Sequence, residues 1–199
     1  MRHNWREFPG SAKKMFEVFL IMRQLHELIW YLLEGLTLEP TGPIQDEVSL
    51  ALKETEGLTH LNPEDLMRLD VAAHQANIGV LLRQISDRIR GQASDISYAS
   101  LHQKKILDRR TDFIGADLKK KNLKGASLRG AFLIAADLKG ADLSFTDLIG
   151  ADLRDTDLRG ADLAKSIFLT QAQINVAKGD NSTKLPPSIN RPIDWSSFT

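Results

Sequence analysis

Residues 111–170 read TDFIG-ADLKK-KNLKG-ASLRG-AFLIA-ADLKG-ADLSF-TDLIG-ADLRD-TDLRG-ADLAK-SIFLT, which is twelve consecutive blocks of five residues without a gap. The third position of a block is Leu in ten blocks and Phe in two, Phe113 and Phe168. The first position is Ala, Thr or Ser in every block except the one that begins at Lys121. Such a pattern is internal repetition, and it decides the fold of this part of the chain.

The period of five fits neither a helix, with about 3.6 residues per turn, nor a strand, with a period of about 2. It predicts a chain that forms one side of a square in each block and turns at each corner. The large third residue and the small first residue point inward. Four blocks complete a coil, so the repeat predicts three coils stacked at strand spacing, about 4.8 Å. The predicted inward residues at the third position are Phe113, Leu118, Leu123, Leu128, Leu133, Leu138, Leu143, Leu148, Leu153, Leu158, Leu163 and Phe168.

The blocks resemble the pentapeptide-repeat family, whose motif is A-(D/N)-L-x-x, and the resemblance covers 111–170. It implies a right-handed four-sided β-helix. Three coils bury too little to stand alone, so both ends require caps. We therefore expect an α+β chain with three parts. They are an N-terminal all-α helical bundle at 1–107, a three-coil β-helix at 108–170, and a C-terminal cap helix with an extended tail at 171–199.

The N-terminal half has no repeat and has the apolar spacing of helices. The first helix is apolar nearly all round, which is typical of a central element in a bundle. Asn62 and Pro63 form a start signal, because Asn caps a helix and Pro suits its first position. The predicted helices are Ser11–Leu36, Ile44–Glu56, Pro63–Gly91 and Ser97–Leu107.

The C-terminal cap is predicted by Thr170 and Gln173, which have the spacing of a capping box. The helix they begin is expected to run over Gln171–Lys178 and to stop at Gly179, with Ile174 closing the interior of the coil. Prolines beyond it predict an extended tail over Ser182–Thr199. Trp195 is expected to pack back onto the body.

Some outward positions of the blocks are apolar rather than polar. Because monomers rarely leave an apolar patch bare, we expect the helical half or a second copy of the chain to cover this corner. The candidate interface residues are Ile114, Phe132, Ile134, Ile149, Ile167 and Leu169. Elsewhere, rows of Lys or Arg lie beside rows of Asp, and we expect these rows to neutralise each other on a solvated surface.

Basic residues are in excess around the first coil, where Lys121 occupies an inward position. It is expected to bend out of the open end or to pair with an acid, because a buried unpaired ammonium is untenable. Two interpretations of the excess stay open: a solvated junction, or an anion site for phosphate or an RNA backbone. The candidate anion-binding residues are Lys119, Lys120 and Lys124.

Composition argues against several classes of protein. The chain has 26 basic and 26 acidic residues and no cysteine, so disulfide scaffolds, thiolate metal sites and cysteine nucleophiles are excluded. The five histidines have no metal-ligand spacing, and no phosphate loop or nucleophile elbow occurs. We therefore expect no enzyme, no cofactor and no metal site. Charges interrupt the longest apolar stretch, so we expect no membrane span and a cytoplasmic location.

The expected function is a non-catalytic protein-interaction or scaffold module. The expected partner is a protein, or a second copy of the chain. The alternative is an antibiotic resistance or immunity factor that shields a cellular target. Many proteins that resemble this coil are linked to mimicry of DNA and protection of topoisomerases from quinolones. Residues 111–170 hold nine acids and nine bases, and this balance argues against DNA mimicry and a nucleic-acid partner.

Overall fold

The structure is a computed structural model that describes residues 9–38, 44–92 and 112–197. The chain divides into two compact units, Met1–Ile85 and Ser86–Thr199. The predicted boundary after residue 107 and the predicted helix Ser97–Leu107 lie outside the described residues.

The first unit is helical. The helices are α1 (Pro9–Leu38), α2 (Gln45–Thr59), α3 (Pro63–Arg68) and α4 (Val71–Gln92), of which α4 continues beyond Ile85. Helix α1 packs on α2 and α3, and the core includes the buried Leu32, Val48 and Ile85. Gly35 lies close to this core, since a Cβ there would be 2.9 Å from Cδ1 of Ile85. A methyl group at this position would require the end of the Ile85 side chain to shift.

The predicted helix Pro63–Gly91 is two helices rather than one. Asn62 caps α3 as expected, since its Oδ1 accepts a hydrogen bond from the backbone N–H of Asp65 at 3.0 Å. The chain then becomes extended at Leu69, with ψ 130°, and Asp70 Oδ1 accepts from the N–H of Ala73 at 3.0 Å. Asp70 is therefore a second capping residue that the apolar spacing of the segment concealed.

The repeat returns beside itself every twenty residues. Parallel bridges join each second-position residue to the one twenty positions later, from Asp112 with Phe132 to Asp147 with Ile167. In the column of Leu118, Leu138 and Leu158, the N–H of Leu118 donates to Asp137 O at 2.8 Å and that of Leu138 to Asp157 O at 2.9 Å. The bridges are isolated, so the described repeat contains no strand of several residues.

The third-position side chains fill the interior of the coils. Eleven of the twelve are buried, and Leu118 in the first coil is partly exposed. The small first-position residues from Ala126 onward are buried beside them. Thr146 and Thr156 satisfy their hydroxyls there by donating to Leu123 O and Leu133 O at 2.8 and 2.7 Å. Lys121 is exposed, so its side chain leaves the interior.

The second position of the block stabilises the corner that follows. In nine blocks an Asp or Asn Oδ1 accepts a hydrogen bond from the N–H two residues later, as Asn122 does from Lys124 at 3.0 Å. This bond is the turn that Asx side chains form with their own backbone. It explains why the motif has Asp or Asn at this position.

The residue at the fifth position of most blocks has a left-handed backbone conformation. Exchanging Ala and Gly at this position therefore tests how much strain the turn contains. Ala135 has φ 55° and Gly150 has φ 63°, and a Cβ at Gly150 would meet no atom within 4 Å. We expect Ala135→Gly to raise the free energy of unfolding by about 0.5–1 kcal/mol and Gly150→Ala to lower it by a similar amount. Urea unfolding followed by circular dichroism measures both. Equal effects of the same sign would contradict the strain argument.

A short helix, α5 (Gln171–Asn175), caps the coils. The predicted capping box is present between Thr170 and Gln173, whose Nε2 also donates to Leu148 O and Ala151 O at 2.8 and 2.9 Å. Ile174 is fully buried, as expected. The helix ends three residues earlier than predicted and does not reach Gly179.

The predicted extended tail is wrong, because most of it is folded onto the last coil. Lys178 and Lys184 form parallel bridges to Asp157 and Asp162, and they add part of a fourth layer. Residues Ile193–Ser197 form a 3₁₀ helix, and Trp195 is buried with 2% of its surface exposed. Prolines stop regular helix and strand, but they do not prevent a loop from packing through such a side chain.

Candidate interaction surface

Three apolar side chains lie together on the outside of the first two coils, and we call them the coil patch: Ile114, Phe132 and Ile134. The bridge between Asp112 and Phe132, and the hydrogen bond from Gly115 N–H to Ile134 O at 2.9 Å, place the two segments side by side. Ile114 is 57% exposed and Phe132 49%, while Ile134 is half-buried. The coil patch therefore offers apolar area to a partner.

The other predicted interface residues do not belong to this surface. Ile149 is half-buried, whereas Ile167 and Leu169 are buried, with 1% and 2% of their surfaces exposed. Ile167 occupies the second position of its block, but its side chain is buried. Ile167 and Leu169 are thus core residues, which corrects the expectation that they are outward-facing. That the helical half or a second copy covers the remaining corner stays a prediction.

Phe132 stands where the fold favours Asp or Asn. Its side chain has no acceptor for the N–H of Ile134, so this block lacks the turn bond that nine others make. Half of its ring is exposed, so burial compensates only in part. A residue that does little for the fold and leaves an aromatic ring in water is a candidate for binding.

A second surface is a ladder of alternating charges across the coils. Asp137 lies 3.2 Å from Lys119 Nζ and 3.5 Å from Lys139 Nζ, and Asp157 lies 3.1 Å from Lys139 Nζ and 2.5 Å from Arg159. This agrees with the expectation that rows of opposite charge neutralise each other. Of the candidate anion-binding residues, Lys119 therefore belongs to the ladder.

The other two lysines of the proposed anion site have different surroundings. Lys120 is exposed and has φ 52°, and Lys124 Nζ lies 5.8 Å from the centre of the Phe145 ring. Lys165 Nζ lies 5.4 Å from the same ring. Such contacts stabilise an aromatic ring at a strained corner, and Phe145 indeed has φ 58°. The contacts give both Lys124 and Lys165 a structural role.

The ladder makes stability depend on pH. Burial raises the pKa of Asp157, but hydrogen bonds from Arg159 and Lys139 outweigh it and hold the pKa at about 2, below the ordinary 3.8. The stabilisation is therefore complete above about pH 4 and is lost as pH falls towards 2. We expect Asp157→Asn to be less stable at pH 7 and to lose less stability between pH 4 and 2. Urea midpoints at several pH values measure this.

Asp155→Asn is the matched control for this experiment, because Asp155 is exposed and pairs with Lys178 at 2.9 Å outside the ladder. Its pH profile should parallel that of the unchanged protein. A profile of Asp157→Asn that is equally parallel would contradict the ladder as the source of the pH dependence.

A buried polar cluster joins the end of α4 to the second coil inside the second unit. Ser86 Oγ donates to Asp147 Oδ2 at 2.6 Å, and Arg129 contacts the same oxygen through Nε and Nη2 at 3.1 and 2.9 Å. Asp147 and Ser86 are almost completely buried. Arg90 Nε adds a bond to Gly125 O at 3.0 Å. Sequence reasoning missed this cluster, since Asp147 looks like any other second-position Asp.

A shallow groove of about 260 Å³ lies between α2 and α4 in the first unit. It is lined by Glu47, Leu50, Glu54 and His74 among others, and His74 Nε2 lies 2.9 Å from Thr55 Oγ1. His74 thus has a structural hydrogen-bond partner. Within residues 9–38, 44–92 and 112–197 no group of three or more acidic or histidine side chains is placed to hold a metal ion. None of the helices described is both long and apolar enough to cross a membrane.

The chain returns beside itself every twenty residues, its corners are Asx turns, and leucines fill its interior. These three features define a class of protein. A family model for pentapeptide repeats matches residues 109–144 and 136–168, with eight copies of the repeat. The chain belongs to the pentapeptide-repeat family.

Known proteins that are similar to it include a bacterial relative and a protein of solved structure. Uncharacterized protein YybG of Bacillus subtilis (strain 168) is 54% identical over 192 residues, which are 96% of this chain and 67% of that protein. Among solved structures, alr5209, a pentapeptide repeat protein from Nostoc, has 28% identity and a TM-score of 0.15. The match covers 47% of this chain and 88% of the Nostoc chain.

Proposed function

We propose that this chain is a non-catalytic protein-interaction scaffold. In this proposal the repeat is a right-handed four-sided β-helix of three coils, and the coil patch binds a protein partner. The observation that carries the proposal is Phe132, an aromatic ring 49% exposed at a position where the fold favours Asp or Asn. Aromatic residues are enriched at the centres of protein interfaces.

The charge of the coils supports a protein partner over a nucleic acid. Lys119, Lys139 and Arg159 of the ladder each contact a carboxylate, so these cations are neutralised within the fold. A surface for duplex or single-stranded nucleic acid needs a field of one sign along its length. An apolar patch beside balanced charges is instead the composition of a protein interface.

Phe132→Asn separates binding from folding, because Asn122 shows that Asn makes the turn bond at this position. The variant gains that bond, worth about 0.5–1.5 kcal/mol, and loses the half-burial of a ring, worth a similar amount. We expect its free energy of unfolding to lie within about 1 kcal/mol of the unchanged protein. Thermal unfolding followed by circular dichroism measures this.

Binding is tested with the same variant. Tagged protein is used to capture partners from a native lysate, and each captured protein is purified and titrated directly. We expect Phe132→Asn and Ile114→Asn to weaken binding at least about ten-fold, and Val176→Asn, at a residue 48% exposed on the same unit, to leave it unchanged. A partner whose affinity is indifferent to Phe132 and Ile114 would refute the proposed site.

A further inference from the structure

The groove between α2 and α4 is apolar along its floor and acidic along its α2 rim. Its α2 residues have the spacing i, i+3, i+4 and i+7, so they lie on one side of that helix: Glu47, Leu50, Ala51 and Glu54. The two glutamates are exposed and stand about 10.5 Å apart along the helix. Between them Leu50 is 59% exposed and Ala51 is buried. The rim is therefore an exposed apolar residue between two carboxylates.

The fold does not neutralise the carboxylates of this rim. Within residues 9–38, 44–92 and 112–197, Glu47 and Glu54 make no hydrogen bond or ion pair through their side chains. Helix α2 has four acids and one base, Lys53, and the described residues that line the groove include no Lys or Arg. By contrast, Asp137 and Asp157 of the ladder each contact two cations. The rim thus presents negative charge to a partner.

The α4 side of the groove adds apolar floor and a further acceptor. Ile78 is buried and Leu81 is half-buried, and both line the groove. Thr55 Oγ1 donates its one proton to Ala51 O at 2.7 Å, so it accepts from His74 Nε2 at 2.9 Å. The proton of the neutral His74 ring is therefore on Nε2, which leaves Nδ1 as an acceptor. Carboxylates and this nitrogen are complementary to a donor with positive charge.

From the acidic rim and the apolar floor we infer that this groove binds a basic amphipathic helix of a partner protein. Two Lys or Arg residues seven positions apart on such a helix match the separation of Glu47 and Glu54. Apolar residues between them cover Leu50 and pack on the floor, as in other helix-in-groove complexes. The surface lies on the first unit and does not depend on the coil patch.

Other occupants satisfy only one of the two features of the groove. A small polyamine neutralises the two carboxylates but leaves Leu50 in water, because it has no apolar side chains. An apolar helix without bases covers Leu50 but brings no counter-charge to Glu47 and Glu54. A basic amphipathic helix satisfies both features, since Lys and Arg extend an apolar stem along the surface and hold the charge at its end.

Titration of a labelled synthetic peptide with the full chain, followed by fluorescence anisotropy, tests the inference. The probe is a helix-forming peptide with Lys at every seventh position, Leu at the third and fourth positions after each Lys, and Ala or Gln elsewhere. A control peptide has Glu in place of Lys. We expect the Lys peptide to bind at least about ten-fold more tightly than the Glu peptide. No binding of the Lys peptide up to about 1 mM protein would overturn the inference. Spermine at equal charge should leave most of the Lys peptide bound, and its displacement would mean that the groove recognises charge alone, which would also overturn it.

Matched variants of the chain locate the binding site. We expect Glu47→Gln combined with Glu54→Gln to raise the dissociation constant at least about ten-fold, and Leu50→Asn about five-fold. Glu56→Gln removes an exposed acid of α2 outside the groove, and Val80→Asn changes an α4 residue that is 58% exposed and also outside it, so neither should alter binding. All five positions are exposed, so the unfolding midpoints should stay close to that of the unchanged protein. Binding that is indifferent to Leu50→Asn, or equally weakened by Glu56→Gln, would place the peptide elsewhere and overturn the inference.

Discussion

Trp195→Ala lowers the free energy of unfolding by about 3–5 kcal/mol, the cost of removing a fully buried aromatic side chain. The ring is 2% exposed and its Nε1 donates to Ala177 O at 3.2 Å. It closes the C-terminal end of the coils, and a short solenoid depends on such closure. Urea unfolding followed by circular dichroism measures the loss. Ile193→Ala, in the same 3₁₀ helix but 90% exposed, should change it by less than about 0.5 kcal/mol.

A substitution at Gly179 tests the packing of Trp195 a second time. A Cβ at Gly179 would overlap the Trp195 ring, so Gly179→Ala must displace the ring or the backbone. We expect Gly179→Ala alone to cost about 1–3 kcal/mol and to cost almost nothing further in a protein that already carries Trp195→Ala. Additive costs in this double-mutant cycle would mean that the two residues do not oppose each other.

Arg129→Met lowers the free energy of unfolding by about 3–5 kcal/mol, because it leaves Asp147 buried without its counter-charge. Asp147 has 1% of its side chain exposed, and the hydrogen bonds that it keeps in this variant come from Ser86 Oγ and the N–H of Ile149, neither of which carries a charge. Chemical unfolding at pH 7 measures the effect. Further replacement of Asp147 by Asn should recover part of the loss, since it removes the buried charge.

Arg154→Met is the control for this comparison. Arg154 pairs with Asp152 at 2.6 Å, but its side chain is 63% exposed, and exposed pairs contribute at most about 1 kcal/mol. A cost of Arg129→Met as small as that of Arg154→Met would show that the Asp147 cluster is not a buried ion pair in solution.

The repeat could be predicted in detail because its structure follows from neighbouring residues. A block needs only a large residue, a small residue and an Asx corner, and the next coil repeats the same contacts twenty positions later. Membership of the pentapeptide-repeat family is confirmed by the family model. Packing of Trp195 onto the body is confirmed, but its contacts with Ala177 and Gly179 could not be predicted. Prediction failed for the contact of Ser86 with Asp147, which lies 61 positions away.

The candidate surfaces were predicted in part for a similar reason. The outward position of a side chain follows from its place in the block, so the exposure of Ile114 and Phe132 was predictable. Burial of Ile167 and Leu169 depends on which other segments cover them, and a local pattern contains no such information. The sequence alone did not show that Phe132 lacks a stabilising turn bond, because the role of the second-position Asp or Asn follows from the hydrogen bonds of the other blocks.

The return of the chain every twenty residues also restricts how this protein can change in length. Loss of a single block would move all later side chains back by one face and bring the charges of the ladder onto the side now held by the coil patch. Gain of a single block would move them one face in the other direction. Gain of twenty residues would add a layer and leave every later residue on its own face. Growth by whole layers is therefore the one mode of duplication that keeps each surface intact.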